Sequence, residues 1–345
     1  MLFLLALLCP GCNSASEGKI AFVCDFEPLG QDFFVYVMDI DGSNQIKLAE
    51  CGFPILQWSP DGKRIAFHGM DDKVCIADAD GKNLSKVGLT GQHLNKLFSW
   101  SPDGVEIAVA GRVSYLVGPD IYAINVESGE ARKLTNSPDT DKCEVAWSPD
   151  GTQIAFIGFD KVSLDYRHIY LIDADGSNQR VLVSVPGGDL LQQISWSPDG
   201  KKLLYVHCIT VDDMDVKSEI YLVDVEDGTI TNLTNTPHID EIDPAWSPDG
   251  KRIAFTIYSP FCQMRIMDAD GSNVVKLADG VIGGLGPSWS PDGKKVVFYG
   301  GSVQRPGGGE KEWCSLFIVD IDSGEVVDLI ATGPGDYYSP VWSPL

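Results

Sequence analysis

The sequence predicts an all-β fold, a seven-bladed propeller of four-stranded antiparallel blades, and three observations carry that expectation. Trp-Ser-Pro recurs at Trp58, Trp100, Trp147, Trp196, Trp246, Trp289 and Trp342, at separations of 42, 47, 49, 50, 43 and 53 residues. Between most copies lies a second signature, an aliphatic run that ends in a Gly turn, as in Val37 to Gly42, Ile76 to Gly81, Tyr170 to Gly176, Tyr221 to Gly228, Ile266 to Gly271 and Phe317 to Gly324. Gly and Pro, 36 and 20 residues, are too densely spread for a helical bundle. Four short strands per ~45 residues make one propeller blade.

Each element follows from its local chemistry. Six of the seven Trp-Ser-Pro copies continue as Ser-Pro-Asp-Gly and run into an apolar stretch such as Lys251-Arg252-Ile253-Ala254-Phe255. Pro pre-sets φ at the second turn position, Asp caps the turn and Gly accepts positive φ at its exit, so the segment reads as strand, tight turn, strand. The Gly turn of the second signature makes another hairpin, and a short strand such as Gln45 to Leu48 or Val274 to Leu277 closes the unit.

Six units, beginning at Trp58, Trp100, Trp147, Trp196, Trp246 and Trp289, are complete. The first hairpin, Lys19 to Ala49, lacks a Trp strand, and Ser339 to Pro344 supplies one at the other end of the chain. The two are expected to pair and close the ring at seven blades; without that closure the count would be six. Closure removes the exposed strand edges that template aggregation. Deleting the last ten residues should open the ring.

Residues 19–345 are thus expected to form one domain. Residues 1–18 read as a leader: Met1 to Leu8 are apolar, and Pro10, Gly11 and Cys12 precede a polar stretch. Gly11-Cys12 makes Cys12 a lipidation candidate, and the leader predicts an exported protein, periplasmic or anchored to the membrane by lipid. Downstream of residue 12 no apolar run approaches the ~20 residues that a spanning helix needs. Cys24, Cys51, Cys75, Cys143, Cys208, Cys262 and Cys314 show neither CxxC pairs nor zinc spacing, so they read as small buried hydrophobes.

Charge sorts the partners. With 26 Lys and Arg against 49 Asp and Glu, the formal charge of -23 has the wrong sign for nucleic acid and the right one for a cationic partner.

The Trp-Ser-Pro-Asp-Gly-Lys-Arg-Ile-Ala-Phe pattern, with its Asp-Ala-Asp-Gly-Ser-Asn companion, resembles the TolB-type propeller repeat over nearly all of residues 19–345. The resemblance implies an exported protein that works as a binding platform in the cell envelope; related propellers cap peptidases or form polysaccharide lyases. The chain departs from TolB itself, which resembles a small α/β domain followed by six blades.

Topology sorts the loops. In a four-stranded blade the first and third turns share one face, and the second turn and the inter-blade connection share the other. The repetitive Asp-Gly turns therefore occupy one face. Length variation falls on the opposite face, in Asp25 to Asp32, Gly111 to Pro119, Gly158 to Arg167, Ile209 to Ser218 and Gly300 to Glu312, where function is expected. His168, His207 and His238 lie there on successive blades as candidates for a metal or general-base cluster. Asp141 and Glu144 before Trp147, Asp240, Glu241 and Asp243 before Trp246, and Asp212, Asp213 and Asp215 in a long loop form an acidic mouth. A plainer role for Asp243 and its equivalents is to brace the Trp strands. Tyr166, Trp313, Tyr337 and Tyr338 are candidate stacking platforms.

The Asp-x-Asp-Gly turns resemble the opening of a calcium loop but lack its later ligands, which leaves hairpin chemistry as the main reading and weak calcium binding as the minor one. No cofactor is expected beyond that calcium or a His-bound metal. No G-x-S-x-G elbow, H-E-x-x-H or Walker sequence appears, and no hydrolase domain is expected after the last blade. The leading reading is a monomeric, non-catalytic scaffold for a protein or peptide. The alternative is a carbohydrate-active lyase or hydrolase with a metal or His/carboxylate site on the variable face.

Overall fold

A computed structural model describes residues 18–25, 33–89, 94–111, 118–137, 140–160, 165–212, 215–258, 262–278, 281–302, 314–330 and 336–344. These form seven four-stranded antiparallel sheets in a ring of blades. Blade 1 takes its inner strand, Asp336–Trp342, from the C-terminal end and the next three, Lys19–Asp25, Phe33–Asp39 and Ile46–Cys51, from the N-terminal end. Blade 2 runs from Leu56–Trp58 to Ser85–Val87, blade 3 from Leu94–Trp100 to Ala131–Lys133, and blade 4 from Thr140–Trp147 to Arg180–Pro186. Blade 5 runs from Leu190–Trp196 to Ile230–Asn232, blade 6 from Glu241–Trp246 to Val275–Lys276, and blade 7 from Val281–Trp289 to Val326–Asp328.

The Ile-Ala-Phe runs explain how blades stack. A second strand is sandwiched between two neighbouring blades, so both of its faces are buried and the apolar run is continuous, as in Lys19–Asp25 and Gln153–Asp160. The small residue faces the Trp of the next blade: Ala21 shares a core cluster with Trp58, Ala66 with Trp100, Ala108 with Trp147, Ala155 with Trp196 and Ala254 with Trp289. Trp58, Trp196 and Trp289 each donate their indole N–H to an inner-strand carbonyl of the preceding blade at 3.0 Å. Where Leu204 replaces the Ala, Trp246 is less buried and its indole bond lengthens to 3.4 Å.

The turns follow the sequence-derived chemistry. In blade 2, Ser59 Oγ donates to Asp61 at 2.6 Å and accepts from Arg64 N at 2.9 Å, and Gly62 takes φ +67°. At the seam the same pattern forms between the two ends of the chain. Lys19 N donates to Ser343 Oγ, and Ser343 N donates to Lys19 O, both at 2.8 Å. In the Asp-x-Asp-Gly turns the first Asp accepts from an Asn five residues on and the second from a backbone N–H two residues on, as at Asp39, Asn44, Asp41 and Ser43. Those carboxylates are engaged in hairpin geometry.

One expected loop is instead strand. Of the expected loop Ile209 to Ser218, residues 209–212 and 215–218 are strand: Lys202–Asp212 pairs with Asp215–Asp224 through Ile209↔Lys217 and Thr210↔Val216. The run of Asp residues suggests a loop, but the pairing continues as far as Asp212↔Asp215.

Candidate functional site

The variable face of blades 4 to 6 holds most of the sequence-derived candidates, and adjacent backbone links join them. Tyr166 opens the third strand of blade 4 opposite Pro186. Asp189 N donates to Pro186 O at 2.9 Å, and Asp189 takes His207 Nε2 at 2.9 Å and Thr210 N at 3.2 Å. Val216 pairs with Thr210 two residues before Ser218, whose N–H donates to Asp240 at 3.0 Å. Tyr258 N in turn donates to Asp240 O at 2.7 Å. Tyr166, Leu190, Val216 and Tyr258 along this path are large apolar or aromatic side chains that are 41–56% exposed. A rim of exposed apolar groups interleaved with Asp165, Asp189 and Asp240 is a surface suited to a partner rather than to solvent alone.

The histidines do not converge. His168 Nδ1 is 2.9 Å from Ser184 Oγ and its ring packs against Tyr166 and Tyr170. His207 is held by Asp189, and His238 is exposed in the connection from blade 5 to blade 6. They sit on a third strand, a second strand and an inter-blade loop. Among the described residues no three His, Cys, Asp or Glu form a group that could hold a metal ion.

The carboxylates three before Trp147 and Trp246 brace the next blade, and with Gln193 between them they form a chain. Glu144 of blade 4 accepts from Gln193 N at 2.7 Å and Ile194 N at 2.6 Å in blade 5. Gln193 Nε2 donates to Asp243 of blade 6 at 2.5 Å, and Gln193 Oε1 accepts from Asp243 N at 2.8 Å. Asp243 accepts from Gly286 N of blade 7 at 3.3 Å. Each of these residues stands three before its Trp, at a bulge where Gln193, Asp243 and Gly286 take φ of 57°, 54° and 59°. Burial pushes Glu144 up to about 7 despite its two backbone donors, and it raises Asp243 as well.

The remaining candidates divide. Asp141 is half-buried on the inner strand of blade 4, opposite Phe159. Asp240 also lies 3.7 Å from Lys217 Nζ. Glu241 is buried, accepts from Thr236 Oγ1 and is pushed up to about 7, first by burial and also by the charge on Glu219. Asp212 ends its strand opposite Asp215. Tyr337 is a correction: it is 2% exposed and packs on Phe22, so it is core and no platform. Tyr338 is half-buried with its edge against Phe33 and Tyr299. Asp213, Trp313 and Cys12 lie outside the described residues. The seven described cysteines are reduced thiols, of which Cys24, Cys51, Cys75 and Cys208 are buried. A cavity of about 550 Å³ opens on the other face, at the seam between Trp58, Asp61, Lys19 and Pro344, and no candidate residue lines it.

Sequence reasoning missed Asp189, Gln193, Leu190, Val216 and Tyr258. Gln193 was detectable by aligning the repeats on Trp, which sets it level with Glu144 and Asp243.

These features define a repeat propeller closed by strand exchange between its ends, with an apolar and acidic rim on one face. The chain belongs to the TolB beta propeller domain family, whose profile matches residues 9–208. It is 30% identical to an uncharacterized protein of Agrobacterium fabrum over 45% of this chain and 55% of that protein. It is 26% identical to a dipeptidyl-peptidase 5 of Porphyromonas gingivalis over 41% of this chain and 21% of that one. The chain thus spans about half or less of the length of these relatives. Among solved structures it resembles a putative TolB from Agrobacterium tumefaciens, with TM-score 0.51 and 24% identity over 79% of this chain and 98% of that one. It also resembles an oligogalacturonate lyase in complex with manganese, with TM-score 0.66 and 16% identity over 89% and 87% of the two chains. Among the described residues no helix is long and apolar enough to cross a membrane.

Proposed function

We infer that the protein is an exported, non-catalytic scaffold of the cell envelope that binds a protein or peptide through the rim of blades 4 to 6. The observation that carries this reading is the run of exposed Tyr166, Leu190, Val216 and Tyr258 on a framework whose polar groups are engaged by neighbouring strands and blades. Polar groups spent on bracing hold a surface rigid, which lowers the entropic cost of binding. The charge of -23 favours a cationic partner. The apolar leader and Cys12 support export and a lipid anchor.

The test is a pull-down from envelope extract of the source cell, with the parent chain beside Tyr166→Ser and Tyr258→Ser variants. A protein recovered by the parent and lost with both variants supports the reading; identical recovery by all three overturns it. A second reading, a carbohydrate-active enzyme, rests on the His207–Asp189 hydrogen bond, which orients an imidazole as a general base would need. Glycan cleavage lost on His207→Ala would favour it.

A further inference from the structure

Aligning blades 3 and 4 with blades 5 and 6 on their Trp residues superposes residues 131–147 on 230–246 without a gap. The two junctions then share a framework. Between blades 3 and 4, Ile121 N donates to Thr135 Oγ1 at 3.0 Å, and between blades 5 and 6, Ile220 N donates to Thr234 Oγ1 at 3.2 Å. Lys133 Nζ reaches Asp120 at 2.7 Å, and its counterpart Asn232 reaches Glu219 at 2.7 Å. The charges differ. At the first junction a buried ammonium, Lys142 Nζ, sits 2.8 Å from Ser137 O, 2.9 Å from Thr140 O, 3.4 Å from Pro119 O and 3.2 Å from Asp120.

At the second junction Glu241 stands where Lys142 does, and Glu219 stands where Asp120 does. Glu241 is 1% exposed and Glu219 4%, and Glu241 Oε2 and Glu219 Oε1 are buried without hydrogen-bond partners. Two half-satisfied carboxylates at a place built around a cation are costly unless a positive charge offsets them. The repeat aligns further oxygens with this place, since the carbonyls that surround Lys142 Nζ correspond to those of Ser218, Thr236 and Ile239, and the Thr236 hydroxyl donates to Glu241. Carboxylate, carbonyl and hydroxyl oxygens without sulfur or imidazole suit a hard cation with flexible coordination.

We propose that Glu219 and Glu241 bind a calcium ion at the junction of blades 5 and 6, in the place that Lys142 fills between blades 3 and 4. The ion ties blade 6 to blade 5 beneath the rim. This site is separate from the Asp-Gly turns, whose carboxylates are engaged by their own hairpins.

The experiment titrates chelator-stripped full-length protein with calcium by calorimetry and follows thermal unfolding with and without 1 mM calcium. One ion per chain is expected, and with Kd on the order of 10 µM the folded population rises about 100-fold and Tm by about 5 °C. Glu241→Lys should abolish the response and match or exceed the calcium-free parent in Tm, because its ammonium replaces the ion. If that variant does not fold, the isosteric Glu241→Gln reads the same loss. No heat and no Tm change in the parent would overturn the site. So would a rise that survives in the variant, which would put the ion elsewhere, or an equal response to magnesium.

Discussion

Replacing Trp342 by Ala tests whether the ring is closed by its ends. Trp342 is 6% exposed and packs with Ile20, Phe22, Ile318 and Tyr337 across the junction of blades 7 and 1. Truncating such a side chain costs about 3 to 5 kcal/mol, against a total stability on the order of 5 to 15 kcal/mol. At about 1.5 °C per kcal/mol for a domain that runs from residue 19 to 345, Tm falls by about 6 °C. Trp147→Ala is the control, since Trp147 is 8% exposed but lies inside a covalently continuous blade. The two variants should lose similar stability, and only Trp342→Ala should speed hydrogen exchange along Lys19–Asp25, the strand that pairs with Asp336–Trp342. A milder probe is Ser343→Ala, which removes the acceptor of Lys19 N and should cost about 1 kcal/mol, as Ser59→Ala should in a covalent turn. Protected Lys19–Asp25 amides in Trp342→Ala, with a loss under about 1 kcal/mol, would refute closure by this strand.

Stability should also depend on pH through Glu144 and Glu241, both pushed up to about 7 from the ordinary 4.5. A carboxyl held above its unfolded value stabilises fully below about 4.5 and loses that contribution as pH rises through about 7, so in calcium-free buffer the urea midpoint should fall between pH 5 and 8. The Glu144→Gln/Glu241→Gln double variant should flatten the fall, which by linkage is on the order of 3 kcal/mol per group at most. Gly62→Ala should destabilise more than Gly228→Ala. Both take positive φ, but a Cβ on Gly62 would meet Pro344 O at 2.7 Å whereas Gly228 has nothing within 4 Å, so their Tm values should rank accordingly.

Much of the ring was legible because its determinants are local. The Ser-Pro-Asp-Gly turn forms from residues within five positions of one another, and the spacing of Trp58 to Trp342 counts the blades. The seam was legible because Lys19 to Ala49 lacks a strand that Ser339 to Pro344 supplies. The Ile209 to Ser218 segment was misread because Asp212, Asp213 and Asp215 suggest a loop, whereas the ladder pairs Ile209 with Lys217 and Thr210 with Val216 across it. The roles of Glu144 and Asp243 were only half legible, since their partners lie 49 and 43 residues away on the next blade. Asp189 was invisible as a partner of His207, because strand register rather than spacing joins them. The rim is scattered in sequence from Tyr166 to Tyr258 and assembles only when blades 4 to 6 stand side by side.

The most direct measurement of the central claim is a hydrogen-exchange footprint of the protein with and without the partner recovered from the envelope. Slowed exchange confined to residues 165–168, 189–191, 215–218 and 256–258 is the result expected of a scaffold that binds through the rim of blades 4 to 6. Protection at the Asp-Gly turns, with exchange across the rim unchanged, would contradict it.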